Sequence, residues 1–322
     1  MTQHNKIKSI SFLQVIGPLL VILGHSLNGF PNGFYFWHVL SKDWIYLFHM
    51  PLFFFISGYL FTKSSKKYQF VPFIKNKVNR LLLPYLLFNL IFILPKLILG
   101  SIVNDRISLN FTKLLVMFLT PRENVWGHTW FMFCLFLVYA LYHFWKIIIN
   151  KKLWLPTSFF LLFIAAMSPK IYFLTISDFT FNLLFFFLGI IIFHYRDKFS
   201  NTNLHKILLI SLVVVILSAL LYPFYEIKLV RIFLAIAIIL TLYLLGNIFE
   251  FKSDLAAFIS INSFWIYLFH WPFMLLMRVL LTFFGVNPAI IILGMIFAGI
   301  FGPITTIKLY KEFIYARYTN HF

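Results

Sequence analysis

Acidic side chains are scarce in this sequence: nine aspartates and glutamates stand among 322 residues, and all charged residues together make up 11%. Soluble domains carry about a quarter charged residues, so water is not the solvent for most of this surface. Cysteine is scarcer still. The single Cys134 sits in an apolar stretch, which excludes an intramolecular disulfide and leaves the redox compartment unread. The acidic residues Asp43, Asp105, Glu123, Asp178, Asp197, Glu226, Glu250, Asp254 and Glu312 almost all fall in loops or at the ends of apolar runs. Paired carboxylates for glycoside hydrolysis, and the acidic relay of a proton-coupled pump, are therefore missing from mid-membrane positions. Histidines at the i, i+4 spacing of a metal site, a phosphate-cradling glycine loop and a nucleophile elbow are also lacking.

What is abundant is apolar: 61% of the residues are hydrophobic and 21% aromatic. A helix crosses the hydrocarbon core with about 20 apolar residues. Ten such segments can be marked, at 10–28, 43–62, 80–99, 128–149, 153–169, 179–195, 205–224, 229–249, 258–281 and 288–309. The expectation is an all-α, polytopic transmembrane bundle of about ten spans, forming one membrane domain over 1–322 with no appended extracellular domain. The stretch Leu109 to Leu119 is too short to span and precedes Pro121, so it reads as interfacial or re-entrant. The first run resembles a signal peptide superficially, but it ends in Gly24-His25-Ser26-Leu27-Asn28 rather than a small-residue cleavage site, and reads as a retained helix.

A formal charge of +18 would suggest nucleic acid in a soluble protein. In a membrane protein, cytoplasmic loops accumulate Lys and Arg. With both termini cytoplasmic, the loops placed inside hold the basic residues over those outside by roughly two to one. No nucleic acid partner is expected; membrane lipid is, and a bacterial plasma membrane suits the chain.

One short internal match stands out, 44–51 (WIYLFHMP) against 265–272 (WIYLFHWP), identical at seven of eight positions. No longer repeat accompanies it. Each copy places a histidine two residues before a proline that removes a backbone donor and leaves a carbonyl to be satisfied.

Ionisable groups inside a membrane are costly, and by default they are functional candidates. His25 lies 17 residues after Lys8, about 25 Å at the helical rise, in the outer part of the bilayer. His49 lies about 9 Å inward from Asp43, and His270 about 18 Å from the inner end of its span. His128 begins the fourth span from outside. The plainer reading of any one of these is an interhelical hydrogen bond, and interfacial placement explains His143 and His194. Taken together, imidazoles at neighbouring depths suggest base chemistry on a hydroxyl. That needs a neutral ring, which apolar surroundings favour. His25 is the first choice to take the proton of a sugar hydroxyl as it attacks a thioester.

The second feature is basic: Lys75, Lys77 and Arg80. Its plainer reading is positive-inside bias and attraction to anionic lipid. Its functional reading is a clamp for the phosphates of a cytoplasmic acyl donor, for which Arg80 has the bidentate fork.

These residues match a known pattern. Ser11-Phe12-Leu13 through Val21-Ile22-Leu23-Gly24-His25-Ser26 resembles the first helix of the membrane-bound acyltransferase family three, which includes O-acetyltransferases of bacterial surface polysaccharides. The segment 48–58 (FHMPLFFFISG) is similar to the family's second helix. Arg80-Leu81-Leu82-Leu83-Pro84-Tyr85, His128-Thr129-Trp130-Phe131 and Ile266-Tyr267-Leu268-Phe269-His270 resemble its third, fourth and penultimate helices. The resemblance covers nearly the whole chain. It implies transfer of an acetyl group, with succinyl as an alternative, from cytoplasmic acetyl-CoA as co-substrate to a glycan or lipid-linked saccharide, without a tightly bound cofactor or metal. It implies His25, His49 and His270 as catalytic residues, Lys75, Lys77, Arg80 and Gln14 as donor contacts, and His128, Trp130 and Ser57 on the acceptor side. Gln14 is a departure, because the family usually carries Arg or Lys eleven residues before the histidine; Lys8, Lys77 or Arg80 would have to compensate. The rival reading is a lipid-linked glycan transporter or flippase without acyl chemistry. A non-enzymatic scaffold would leave the buried histidines without a role.

Overall fold

Inside hydrocarbon every backbone N–H and C=O must be satisfied within the segment that carries it, and helices do this. The computed structural model describes residues 8–27, 40–99, 116, 118–124, 126–199, 203–249 and 251–319, and these are helical almost throughout. The α-helices, in chain order, are α1 (Lys8–Leu27), α2 (Tyr46–Lys67), α3 (Phe70–Lys77), α4 (Leu83–Leu99), α5 (Trp130–Ala140), α6 (Tyr142–Lys151), α7 (Trp154–Ala166), α8 (Ile176–Tyr195), α9 (Leu204–Leu221), α10 (Lys228–Ile248), α11 (Asp254–Phe283) and α12 (Pro288–Thr319). Two π-helical segments, Leu40–Ile45 and Val78–Leu82, lead into α2 and α4. Asn203 and Ser253 accept from the N–H groups of His205 and Ala256 and so start α9 and α11.

Among the described residues, eight helices are long and apolar enough to cross a membrane, or nine when the bent pair α5 and α6 is counted as one span. The protein is therefore a multi-pass, all-helical membrane bundle. Two of the ten segments marked in the sequence come out differently. The expected span 153–169 contains only the 13 helical residues of α7, about 20 Å of rise. The expected span 128–149 is broken at Leu141, where α5 and α6 meet at 53°. A break frees carbonyls that a straight helix would use; the fully buried indole of Trp145 donates to Val138 O at 2.9 Å and satisfies one of them. Most of the stretch Leu109 to Leu119 lies outside the described residues.

The chain forms two compact units, one from 1–53 and 196–322, the other from 54–195. In the first, α1 packs on α10, α11 and α12, and α11 runs against α12. Val15 and Ile22 of α1, Ile259, Ile266 and Met274 of α11, and Met295, Ile304 and Ile307 of α12 form its core. On α9, Leu209, Leu212, Val215 and Leu220 remain exposed, as a lipid-facing helix requires. The second unit is aromatic: Phe54, Phe55, Phe61, Phe73, Phe131, Trp145, Phe185, Phe186 and Phe187 are fully buried or nearly so. There a Cβ on Gly58 would overlap the Phe186 carbonyl of α8, and a Cβ on Gly189 the Phe55 carbonyl of α2. Two small residues thus bring these helix backbones into contact.

Candidate active site

The histidines of the first unit are assembled by close approach of α1 to the start of α2. Gly24 permits it, since a Cβ there would lie 3.1 Å from Ile45 Cγ2 and 3.2 Å from the Tyr46 ring. Tyr46 Oη then reaches His25 Nδ1 at 3.1 Å. The His25 ring stacks on His270 with centroids 5.4 Å apart and meets Trp271 at 5.3 Å, edge on. Tyr46 also meets His49, with centroids at 4.8 Å. The three histidines expected to be catalytic are thus linked in one cluster, His49 and His25 through Tyr46 and His25 directly to His270.

Their ring nitrogens are not equivalent. His49 is buried, and its Nδ1 lies 2.8 Å from Ile45 O; His270 is buried, and its Nδ1 is bonded to Tyr267 O. A carbonyl can only accept, so Nδ1 carries the proton in both rings, and in the neutral form the lone pair belongs to Nε2. The two copies of the repeated octapeptide use the same device: the histidine turns back and satisfies a carbonyl of its own preceding turn. Pro51 and Pro272 are accommodated within α2 and α11. For His25 the partner is a hydroxyl, which can donate or accept, so the tautomer of the ring follows the direction in which the Tyr46 O–H points.

Gln14 also lies in the first unit, where its Oε1 accepts from Ser260 Oγ at 3.1 Å. The other expected donor contacts belong to the second unit. Lys75 and Arg80 are exposed there, and the Lys77 ammonium stands 4.0 Å over the Tyr139 ring. Arg80 is carried on the π-helical turn Val78–Leu82, a widened turn of a kind often found at functional sites.

The expected acceptor-side residues are likewise in the second unit. His128 occupies the 3-10 turn Gly127–Thr129, its ring 5.7 Å from Trp126. Trp130 is 9% exposed, and the Arg122 guanidinium covers it at 4.3 Å. Ser57 is half-buried and gives its backbone carbonyl to Tyr139 Oη at 3.5 Å.

Several residues escape the sequence reading. Tyr46 and Trp271 adjoin the repeated histidines, and the three-residue offset of Tyr46 from His49, which puts both on one helix face, is the signal that would have found the first. In the second unit, Arg122 grips Asp178 through two bonds, Nε to Oδ2 at 2.6 Å and Nη2 to Oδ1. Burial works against the charge of Arg122, and the Asp178 carboxylate outweighs it, raising the guanidinium pKa. Around the same loop Asn89, Asn124 and Thr129 form a buried network. Thr129 Oγ1 accepts from the amides of Asn89 and Asn124 at 3.0 and 3.2 Å, and both amide oxygens accept from Trp126 N–H at 3.0 Å. Among the described residues no group of three His, Cys, Asp or Glu is arranged to hold a metal ion.

A family model described as an acyltransferase domain matches residues 7–308. No curated protein and no solved structure matches the chain. The match contains every helix from α1 to α11 and most of α12, together with the histidine cluster, and an acyl donor and an acceptor are the reactants it implies. The chain belongs to the acyltransferase 3 family and is a membrane-bound acyltransferase.

Proposed function

We propose that the protein is an O-acetyltransferase that moves an acetyl group from cytoplasmic acetyl-CoA to a hydroxyl of an extracytoplasmic or lipid-linked glycan, with His25 as general base. The observation that carries this reading is the contact between Tyr46 Oη and His25 Nδ1 beside His270 and Trp271. When Tyr46 accepts from Nδ1–H, the lone pair of neutral His25 sits on Nε2. Nε2 takes the proton of the acceptor hydroxyl as its oxygen attacks the thioester carbonyl carbon. The C–S bond then breaks, and the imidazolium returns the proton to the departing thiolate. His49 and His270, with Nδ1 tied to backbone, orient substrate around this ring. Lys75 and Arg80 hold donor phosphates, with Lys77 and Gln14 as further contacts; His128, Trp130 and Ser57 serve the acceptor.

Mass spectrometry of surface polysaccharide from cells with and without the protein tests the reading. Loss of one acetyl group per modified unit is expected in its absence. Identical spectra overturn the reaction, though not membership of the family.

A further inference from the structure

On the segment that leads into Tyr46, a second set of polar and aromatic side chains converges from three elements. Asp43 and Trp44 come from the π-helical segment Leu40–Ile45, Tyr222 and Tyr225 from the turn after α9, and Arg231 from the first turn of α10. Tyr222 Oη donates to Asp43 Oδ2 at 3.1 Å. The rings of Tyr222 and Trp44 stack with centroids 6.2 Å apart and planes 13° from parallel. Arg231 lies 5.0 Å over the Tyr225 ring. Burial raises the pKa of the Tyr225 hydroxyl; Arg231 opposes that rise and Asp43 adds to it, so both charges are within reach of one phenol.

Three facts set this group apart from an ordinary aromatic belt at a membrane boundary. All five side chains are half-buried rather than exposed. Arg231 bonds to the Tyr225 hydroxyl, but its Nε is buried and finds no hydrogen-bond partner among the described residues, and an orphaned buried donor is costly unless a ligand supplies the acceptor. Finally, Asp43 is three residues from Tyr46, less than one helical turn from the hydroxyl that holds His25.

We propose that Asp43, Trp44, Tyr222, Tyr225 and Arg231 form the subsite that binds a sugar ring of the acceptor and delivers its hydroxyl to His25. The chemistry is that of a pyranose: apolar C–H faces lie on aromatic rings, while vicinal hydroxyls pair with a carboxylate and a guanidinium. The Tyr222–Asp43 bond pre-orients the carboxylate. Arg231 Nε is the donor left for a ring or exocyclic oxygen. The proposal rests on the glycan acceptor of the preceding section, and it moves the nearest acceptor contacts into the unit that carries the base.

The test is equilibrium binding, which needs no acyl donor. The full-length protein in lipid nanodiscs would be titrated with fluorescently end-labelled surface polysaccharide, extracted from cells lacking this protein and de-esterified with mild alkali. Binding by the native protein is expected to weaken about tenfold in Asp43→Asn and in Arg231→Gln, the order of a charge-assisted hydrogen bond. Tyr222→Phe, which keeps the stacked ring, should lose less than Tyr222→Leu. Failure of the native protein to bind, or unchanged binding in all four variants, overturns the subsite and returns these residues to interfacial anchoring. Retention of acetyl transfer by His25→Gln would instead remove the catalytic reading and leave the binding result standing.

Discussion

In the unit formed by 54–195, Asn89, Asn124 and Thr129 are buried and bonded to one another and to the Trp126 backbone. In the unit formed by 1–53 and 196–322, His49 and His270 are as deeply buried, yet their Nδ1 atoms face backbone carbonyls while their rings stand against Tyr46 and His25. Both arrangements meet the demand that buried polar groups find partners. They differ in what the partners achieve. The amides tie a loop, and a network that saturates itself has a structural purpose. The imidazoles use backbone to fix a tautomer, which directs each Nε2 lone pair toward whatever else approaches. Bond pattern therefore distinguishes the two arrangements where burial does not.

The strongest way to break this contrast is to disrupt the scaffold outright. Gly189→Val would drive side-chain atoms into the Phe55 carbonyl, with no flexible neighbour to yield. We expect no folded protein in detergent, judged by gel filtration; a monodisperse variant would show that α2 and α8 can separate. On the chemical side, His25→Gln should accumulate at native levels and bind acetyl-CoA, yet lose about 10²–10⁴-fold in turnover, because an amide cannot accept the proton. Turnover within a few-fold of native would mean that His25 merely packs. Arg80→Ala should raise the KM for acetyl-CoA about tenfold with little change for the acceptor; an unchanged donor KM would assign the basic turn to lipid or topology. The smallest effect is expected in the amide network. Asn124→Ala should cost about 1–3 kcal/mol of stability by removing partners from buried groups, measured by thermal unfolding, while activity per folded molecule stays native. A selective loss of turnover there would erase the distinction between the two kinds of site.

Much of this was legible in the sequence. The apolar runs foretold the bundle, and the repeated octapeptide flagged His49 and His270. Long apolar runs were harder to divide, because hydropathy is blind to a bend: 128–149 is apolar throughout its middle from Trp130 to Tyr142, and nothing in that run marks the break at Leu141, where the Trp145 indole reaches Val138 O. The same limit applies to α7, whose 13 helical residues follow a left-handed turn at Lys152 and end at Met167. Tyr46 went unnoticed because tyrosines are common in membrane helices, and nothing in a string of residues says which one closes on His25. The Asp43–Tyr222 pairing joins positions 179 residues apart; only tertiary structure brings such residues together.

The broken span also bears on how the chain enters its membrane. α5 has 11 residues and α6 has 10, so each rises about 15–16 Å, half the hydrocarbon thickness. Neither can insert as a separate unit, because an isolated half would leave its end carbonyls in lipid. Counted as one span, 127–151 has the length to cross the hydrocarbon as a unit, and at its 53° elbow the Val138 carbonyl is satisfied by the Trp145 indole.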